Sequence, residues 1–138
     1  MNLRMLVSVL LVSMILSFGV PLSEGNSSGR HNSGSTGCSC HGGASSSITL
    51  TNDFPTQYTP SQTYTINIGF TGGNGGSGGG FSLQVNKGTL TNAGSNMQIS
   101  GTSATHSGSA GTSWTFQWQA PTQGSGDVTV NYVVMNAN

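Results

Sequence analysis

One short segment concentrates the reactive chemistry of this chain. Gly37-Cys38-Ser39-Cys40-His41-Gly42-Gly43 holds both cysteines and one of the three histidines in the 138 residues. Thiols beside an imidazole have three uses. Cys-x-x-Cys-His attaches c-type haem through two thioethers, and its His becomes an axial iron ligand. The spacing here is Cys-x-Cys-His, one residue shorter. Residues two apart do not share a helical face, so one thioether with His41 ligation is the form this spacing allows without a distorted turn. A second use is metal binding: Cys38, Cys40, His41 and one more imidazole would make a Cys₂His₂ set for zinc or copper(I). His106 and His31 are the candidates for the extra ligand. A third use is redox, because a Cys38–Cys40 disulfide closes a tiny, strained and easily reduced ring. The plain alternative is an exposed cysteine pair with no cofactor, with His31 and His106 solvated in Ser/Gly-rich loops.

A site in so Gly-rich a segment cannot hold itself rigid, so a ligand has to come from a stiffer body. His106, in Thr105-His106-Ser107, is the expected contributor. The elements around it read as strands. From Ser47 onward the apolar residues recur with a period of two: Ile48 and Leu50; Tyr64, Ile66, Ile68 and Phe70; Phe81, Leu83 and Val85; Met97 and Ile99; Trp114, Phe116 and Trp118; and Val128, Val130, Tyr132 and Val134. Such alternation marks half-buried strands. Turn chemistry separates them at Tyr58-Thr59-Pro60-Ser61, 71–80, Ala120-Pro121 and 123–126. Six strands with no helical spacing predict an all-β, antiparallel, Ig-like sandwich. Its expected core is Ile66, Ile68, Phe81, Leu83, Trp114, Phe116, Val128 and Val130. Trp114 and Trp118 share one face of one strand and read as core. The Gly-rich 71–80 stretch lacks the Lys-Ser/Thr of a phosphate loop and reads as a hairpin loop.

The ends differ from this body. Arg4 precedes an apolar run from Met5 to Val20, closed by Pro21. A basic start and an apolar run of this length, short of the roughly 20 residues of a membrane-spanning helix, form a secretory signal. Residues 1–25 are read as that signal, with cleavage between Gly19 and Gly25. Residues 26–46 read as a flexible Gly/Ser-rich leader expected to pack poorly, and residues 47–138 as the sandwich. Asn26-Ser27-Ser28 is a sequon and implies only exposure. Val133-Val134-Met135 is apolar on both faces close to Asn138, which suggests a missing closing strand and self-association through the last one.

Composition narrows the partners. The chain has three Lys or Arg, three Asp or Glu, and formal net charge zero. It offers no electrostatic footprint for nucleic acid or anionic lipid, and membrane insertion of the mature domain is not expected. No carboxylates are paired in sequence and no nucleophile elbow is present, so the chain reads as non-enzymatic.

The ordered set of signal, Cys/His leader, "YTPSQTYTI", "GFSLQV", "THSGSAGTSWTFQWQAP" and "VTVNYVVMNAN" resembles the choice-of-anchor V domains of bacterial and archaeal surface proteins. Those domains are similar to the Reeler sandwich at the reelin N-terminus. The resemblance covers roughly residues 30–138. It implies an Ig-like sandwich on a secreted or surface-anchored protein, and a leader that in many members carries a haem-type Cys-x-x-Cys-His. The matching positions are Cys38, Cys40, His41 and His106. Two functions follow as expectations. One is an extracytoplasmic module holding haem c, copper or zinc for electron transfer or redox sensing, with a redox partner or cell-surface component. The other is an adhesion or structural module without cofactor.

Overall fold

A computed structural model describes residues 28–37, 47–73, 78–108 and 111–137. Eight strands form: β1 (Ile48–Asn52), β2 (Thr63–Gly72), β3 (Gly78–Val85), β4 (Thr89–Thr91), β5 (Met97–Ser100), β6 (Ser103–His106), β7 (Ser113–Gln119) and β8 (Val130–Ala137). They pair antiparallel in two four-stranded sheets, ordered β1-β2-β7-β4 and β5-β6-β3-β8. There is no helix among the described residues. The all-β sandwich read from the alternation is what forms.

The two inner faces interdigitate through large side chains. Ile66, Ile68, Phe70, Phe81, Leu83, Val85, Trp114, Phe116 and Trp118 are all buried. Burying a Phe, Leu or Ile side chain contributes about 1.5–3 kcal/mol. Trp118 is a hub: Phe54, Tyr58 and Tyr64 surround it at centroid distances of 5.7, 5.8 and 5.8 Å. Of the expected core, Val128 and Val130 are only half-buried, packed against its margin. Val128 also precedes the last strand, which starts at Val130. Two strands escaped the period-two reading. β4 offers a single buried apolar residue, Leu90, and in β6, Ser-Ala-Thr-His, every residue is buried although only Ala104 is apolar.

The cause of that second case is the leader. Residues 28–37 lie across the outer face of the β5-β6-β3-β8 sheet rather than packing poorly. The Ser28 carbonyl accepts from Gln98 Nε2 on β5. The Arg30 N–H donates to Thr105 Oγ1 at 3.0 Å and the Asn32 N–H to Ser103 Oγ at 3.0 Å, both on β6. The Ser33 N–H donates to Ser82 Oγ at 3.1 Å on β3, and Ser33 is itself buried. A Cβ at Gly34 would overlap the Asn131 carbonyl on β8, so the strap lies flat there only because Gly has none. Small hydroxyl residues on the sheet leave the room, and the strap's backbone N–H groups, which could not be buried unpaired, find partners in those hydroxyls.

β8 pairs with β3 and forms an edge of its sheet. Val133, Val134 and Met135 are half-buried. Val134 sits opposite Phe81 on the core side, and Val133 sits opposite Ser82, the residue the strap binds. The strap thus accounts for part of the two-sided apolarity.

Gly34→Val should lift the strap without unfolding the sandwich. Hydrogen exchange checks this: the Arg30, Asn32 and Ser33 amides should lose protection while those of β2 and β7 keep theirs. Tyr132 gives a second test. Its hydroxyl donates to the Thr51 carbonyl at 3.1 Å, linking β8 to β1. Burial pushes this phenol above its ordinary value of 10.0, with a hydrogen bond from Asn52 partly opposing the shift. A raised folded-state value means that the stabilisation is complete below the unfolded value and lost as pH climbs through the folded one. The urea midpoint of wild type should therefore exceed that of Tyr132→Phe at pH 8, and this margin should shrink above about pH 10.

Candidate functional site

Of Cys38, Cys40, His41 and His106, only His106 lies among the described residues and the other three fall outside them; the alternative extra ligand, His31, is described too. The solvated-loop reading does not hold for His106. It ends β6 and is 9% exposed. The β3–β6 pairing runs from Gln84↔Ser103 to Ser82↔Thr105. One step further, the imidazole takes the place of a backbone partner for Phe81. His106 Nδ1 lies 3.0 Å from the Phe81 nitrogen and 3.1 Å from its carbonyl oxygen. A single ring nitrogen cannot serve both at once. Unprotonated, Nδ1 accepts the Phe81 N–H and the proton sits on Nε2. Protonated, Nδ1 donates to the Phe81 carbonyl. Beneath the ring lies Gly80, where any Cβ would overlap the imidazole. The Gly78-Gly79-Gly80 run in front of Phe81 was the available sequence signal, since glycine inside a strand often marks close approach of another group.

His31 is held too, by a different partner. Its Nδ1 lies 3.2 Å from Ser103 Oγ. That hydroxyl spends its only hydrogen on the Leu83 carbonyl and already accepts from the Asn32 N–H. Its remaining lone pair can only accept, so His31 Nδ1 carries a proton and donates. The neutral ring then presents Nε2 as a lone pair, the arrangement a metal-binding imidazole uses when its other nitrogen is tied down.

The segment bearing the cysteines is bounded by two described anchors. On its N-terminal side the Gly37 N–H donates to the Ser33 carbonyl at 2.9 Å, beside the strap's crossing of β8. On its C-terminal side the Ser47 carbonyl accepts from the Gly73 N–H at 2.9 Å. Gly73 abuts the Asn136 side chain, and Asn136 pairs with Gly79, the neighbour of Gly80. A short chain of contacts therefore runs from Ser47 to the backbone under His106. Two buried polar atoms near this path have no hydrogen-bond partner among the described residues, Trp114 Nε1 and Asn136 Oδ1. The Trp114 ring packs on Phe81 at 4.6 Å between centroids. Unpaired buried polar atoms are costly and uncommon.

No protein-family model, curated protein or solved structure matches the chain. The site has to be judged on its own chemistry. Among the described residues no three His, Cys, Asp or Glu side chains converge as a metal-binding group. Among the described residues no helix is long and apolar enough to cross a membrane. What the described residues do provide is an imidazole held at Nδ1; with Nδ1–H donating to the Phe81 carbonyl, Nε2 is a lone pair with no partner among the described residues. That donor suits haem iron or a soft metal ion, provided the remaining ligands come from elsewhere in the chain.

The two-way contact of Nδ1 makes a spectroscopic prediction. Long-range ¹H–¹⁵N correlation of the His106 ring should show the proton on Nδ1, donated to the Phe81 carbonyl, and a bare Nε2. A proton on Nε2 would mean that Nδ1 accepts the Phe81 N–H and that no lone pair is left for a metal.

Proposed function

We propose that this chain is a secreted or cell-surface sandwich module of the choice-of-anchor V kind that binds a redox cofactor through its Cys/His leader, for electron transfer or redox sensing. Cys38, Cys40 and His41 supply the leader's ligands, and His106 supplies one from the rigid body. The cofactor is haem on a single thioether, or a copper or zinc ion in its place. When bound, haem or copper would supply one-electron exchange. The chain's own residues do the holding: β6 presents the imidazole, the Phe81 backbone orients it, and the strap anchors the chain at Gly37, the residue before Cys38. The observation that carries this reading is the seating of His106 over Gly80. A solvated surface histidine needs no glycine beneath it and no backbone clamp on Nδ1, whereas a ligand that must not rotate needs both.

The test is to express the full chain alongside a cytochrome c maturation system and examine the purified protein. A Soret band that survives denaturation, or a stoichiometric copper or zinc content, is the expected result. Cys38→Ser/Cys40→Ser should remove it. Gly80→Ala keeps the imidazole but displaces it, and should weaken cofactor affinity about 10–100-fold, the usual cost of losing an orienting contact. Protein that purifies with neither haem nor metal under these conditions would leave an adhesion or structural module with an inert Cys/His segment.

A further inference from the structure

At the other end of the strands, away from His106, a cleft of about 700 Å³ opens between the β1–β2 connection and the segment leading into β8. That is within the range of small-molecule sites, roughly 300–1,000 Å³. Its floor and walls are apolar: Phe54, Tyr58, Val128 and Val130 line it, with Trp118 behind. Its rim is polar, formed by Thr56, Gln57 and Asp127.

The cleft is preformed. Tyr58 Oη donates to the Gly126 carbonyl at 2.7 Å, bridging its two sides. Asp53 fixes the start of the connection by accepting from the Asn67 N–H at 2.6 Å and from Asn67 Nδ2 at 2.7 Å. The Thr59 N–H donates to Tyr64 Oη at 2.7 Å and fixes its other end. Phe54 and Tyr58 are locked edge-on against Trp118, at interplanar angles of 64° and 83°. Little ordering entropy is left to lose on binding.

The rim groups, by contrast, are unspent. Thr56, Gln57 and Asp127 are exposed and make no hydrogen bond among the described residues. Asp53 and Asp127 are the only carboxylates there, and Asp53 is already engaged. So an acceptor pair, an amide with both donor and acceptor, and a hydroxyl converge beside a rigid aromatic and aliphatic wall.

We propose that this cleft binds a neutral saccharide. A sugar ring has a C–H face that packs on an apolar wall, and a rim of hydroxyls that needs donors and acceptors together. The cleft offers that combination. A cationic ligand fits less well. Lys87 donates to the Ser125 carbonyl and its ammonium lies against Gly126, which lines the cleft, so a cation would meet a like charge at that end. An anion would meet Asp127. The site shares no residue with the Cys/His leader or His106 and stands independently of the cofactor reading.

The experiment is an amide chemical-shift titration of the intact mature protein with cellotriose, maltotriose and chitotriose in turn, and with choline as a cationic probe. At least one trisaccharide should shift the amides of 56–58 and 126–128 in a saturable way. Asp127→Ala and Gln57→Ala should each raise the Kd at least tenfold. Asn92→Ala, on the outer face of the opposite sheet edge, should leave it unchanged, with thermal melts confirming that all three variants fold. Three results would overturn the proposal: no trisaccharide moves these amides at millimolar concentration, the shifts survive both cleft substitutions, or choline binds there and the sugars do not. The Cys38→Ser/Cys40→Ser variant, which removes the leader's thiols, should bind the sugar as the wild type does, so the two readings can fail separately.

Discussion

Thr105 Oγ1 donates to the Phe81 carbonyl at 2.7 Å and accepts from the Arg30 N–H, and Ser103 Oγ does the same between the Leu83 carbonyl and the Asn32 N–H. Each hydroxyl faces two ways, toward a strand it belongs beside and toward the strap lying on it. Much else in the molecule depends on this arrangement. It lets a Gly/Ser-rich segment pack on a sheet with no apolar side chain of its own. It leaves β6 buried on both faces although three of its four residues are polar. It also fixes the register of the segment that runs into Cys38. A net hydrogen bond is worth only about 0.5–1.5 kcal/mol, so the strap is held by the number of such bonds and by the absence of Cβ atoms where they would intrude.

The sandwich was readable because its central strands obey a simple rule. Ile66 and Ile68, Phe81 and Leu83, Trp114 and Phe116 alternate with polar residues, and all six are buried. The rule failed where burial came from something other than an apolar side chain. β6 could not be seen because the strap's backbone covers its polar face, and a long-range contact of that kind leaves no periodic trace. β4 is three residues long and carries one buried leucine, too little to register as a pattern. Val128 and Val130 lie where the sheets part to form the cleft, so alternation overstated their burial.

The candidate sites were legible to different degrees for the same reason. His106 could be named from its neighbours in sequence, but its clamp on Phe81 and its seat on Gly80 arise from residues 25 and 26 positions away. The role of Ser103 in fixing the His31 ring depends on a contact across 72 positions. The cleft drew no attention in the sequence at all. Its aromatic wall is shared between core and surface, and its rim residues are ordinary loop types that matter only through the space they border.

The strap also has a mechanical meaning. It crosses the sheet from β5 to β8, and its attachments at Gln98, Thr105, Ser103 and Ser82 come one after another along its length. Tension applied to the chain ahead of residue 28 would load them in series, like a zip, rather than together as in two strands sheared past each other. The strap would peel at low force and hand its slack to the segment beyond it, while the laddered strands beneath carried no load until the peeling was complete. For a module held at a surface, such a tether yields before the body it is attached to.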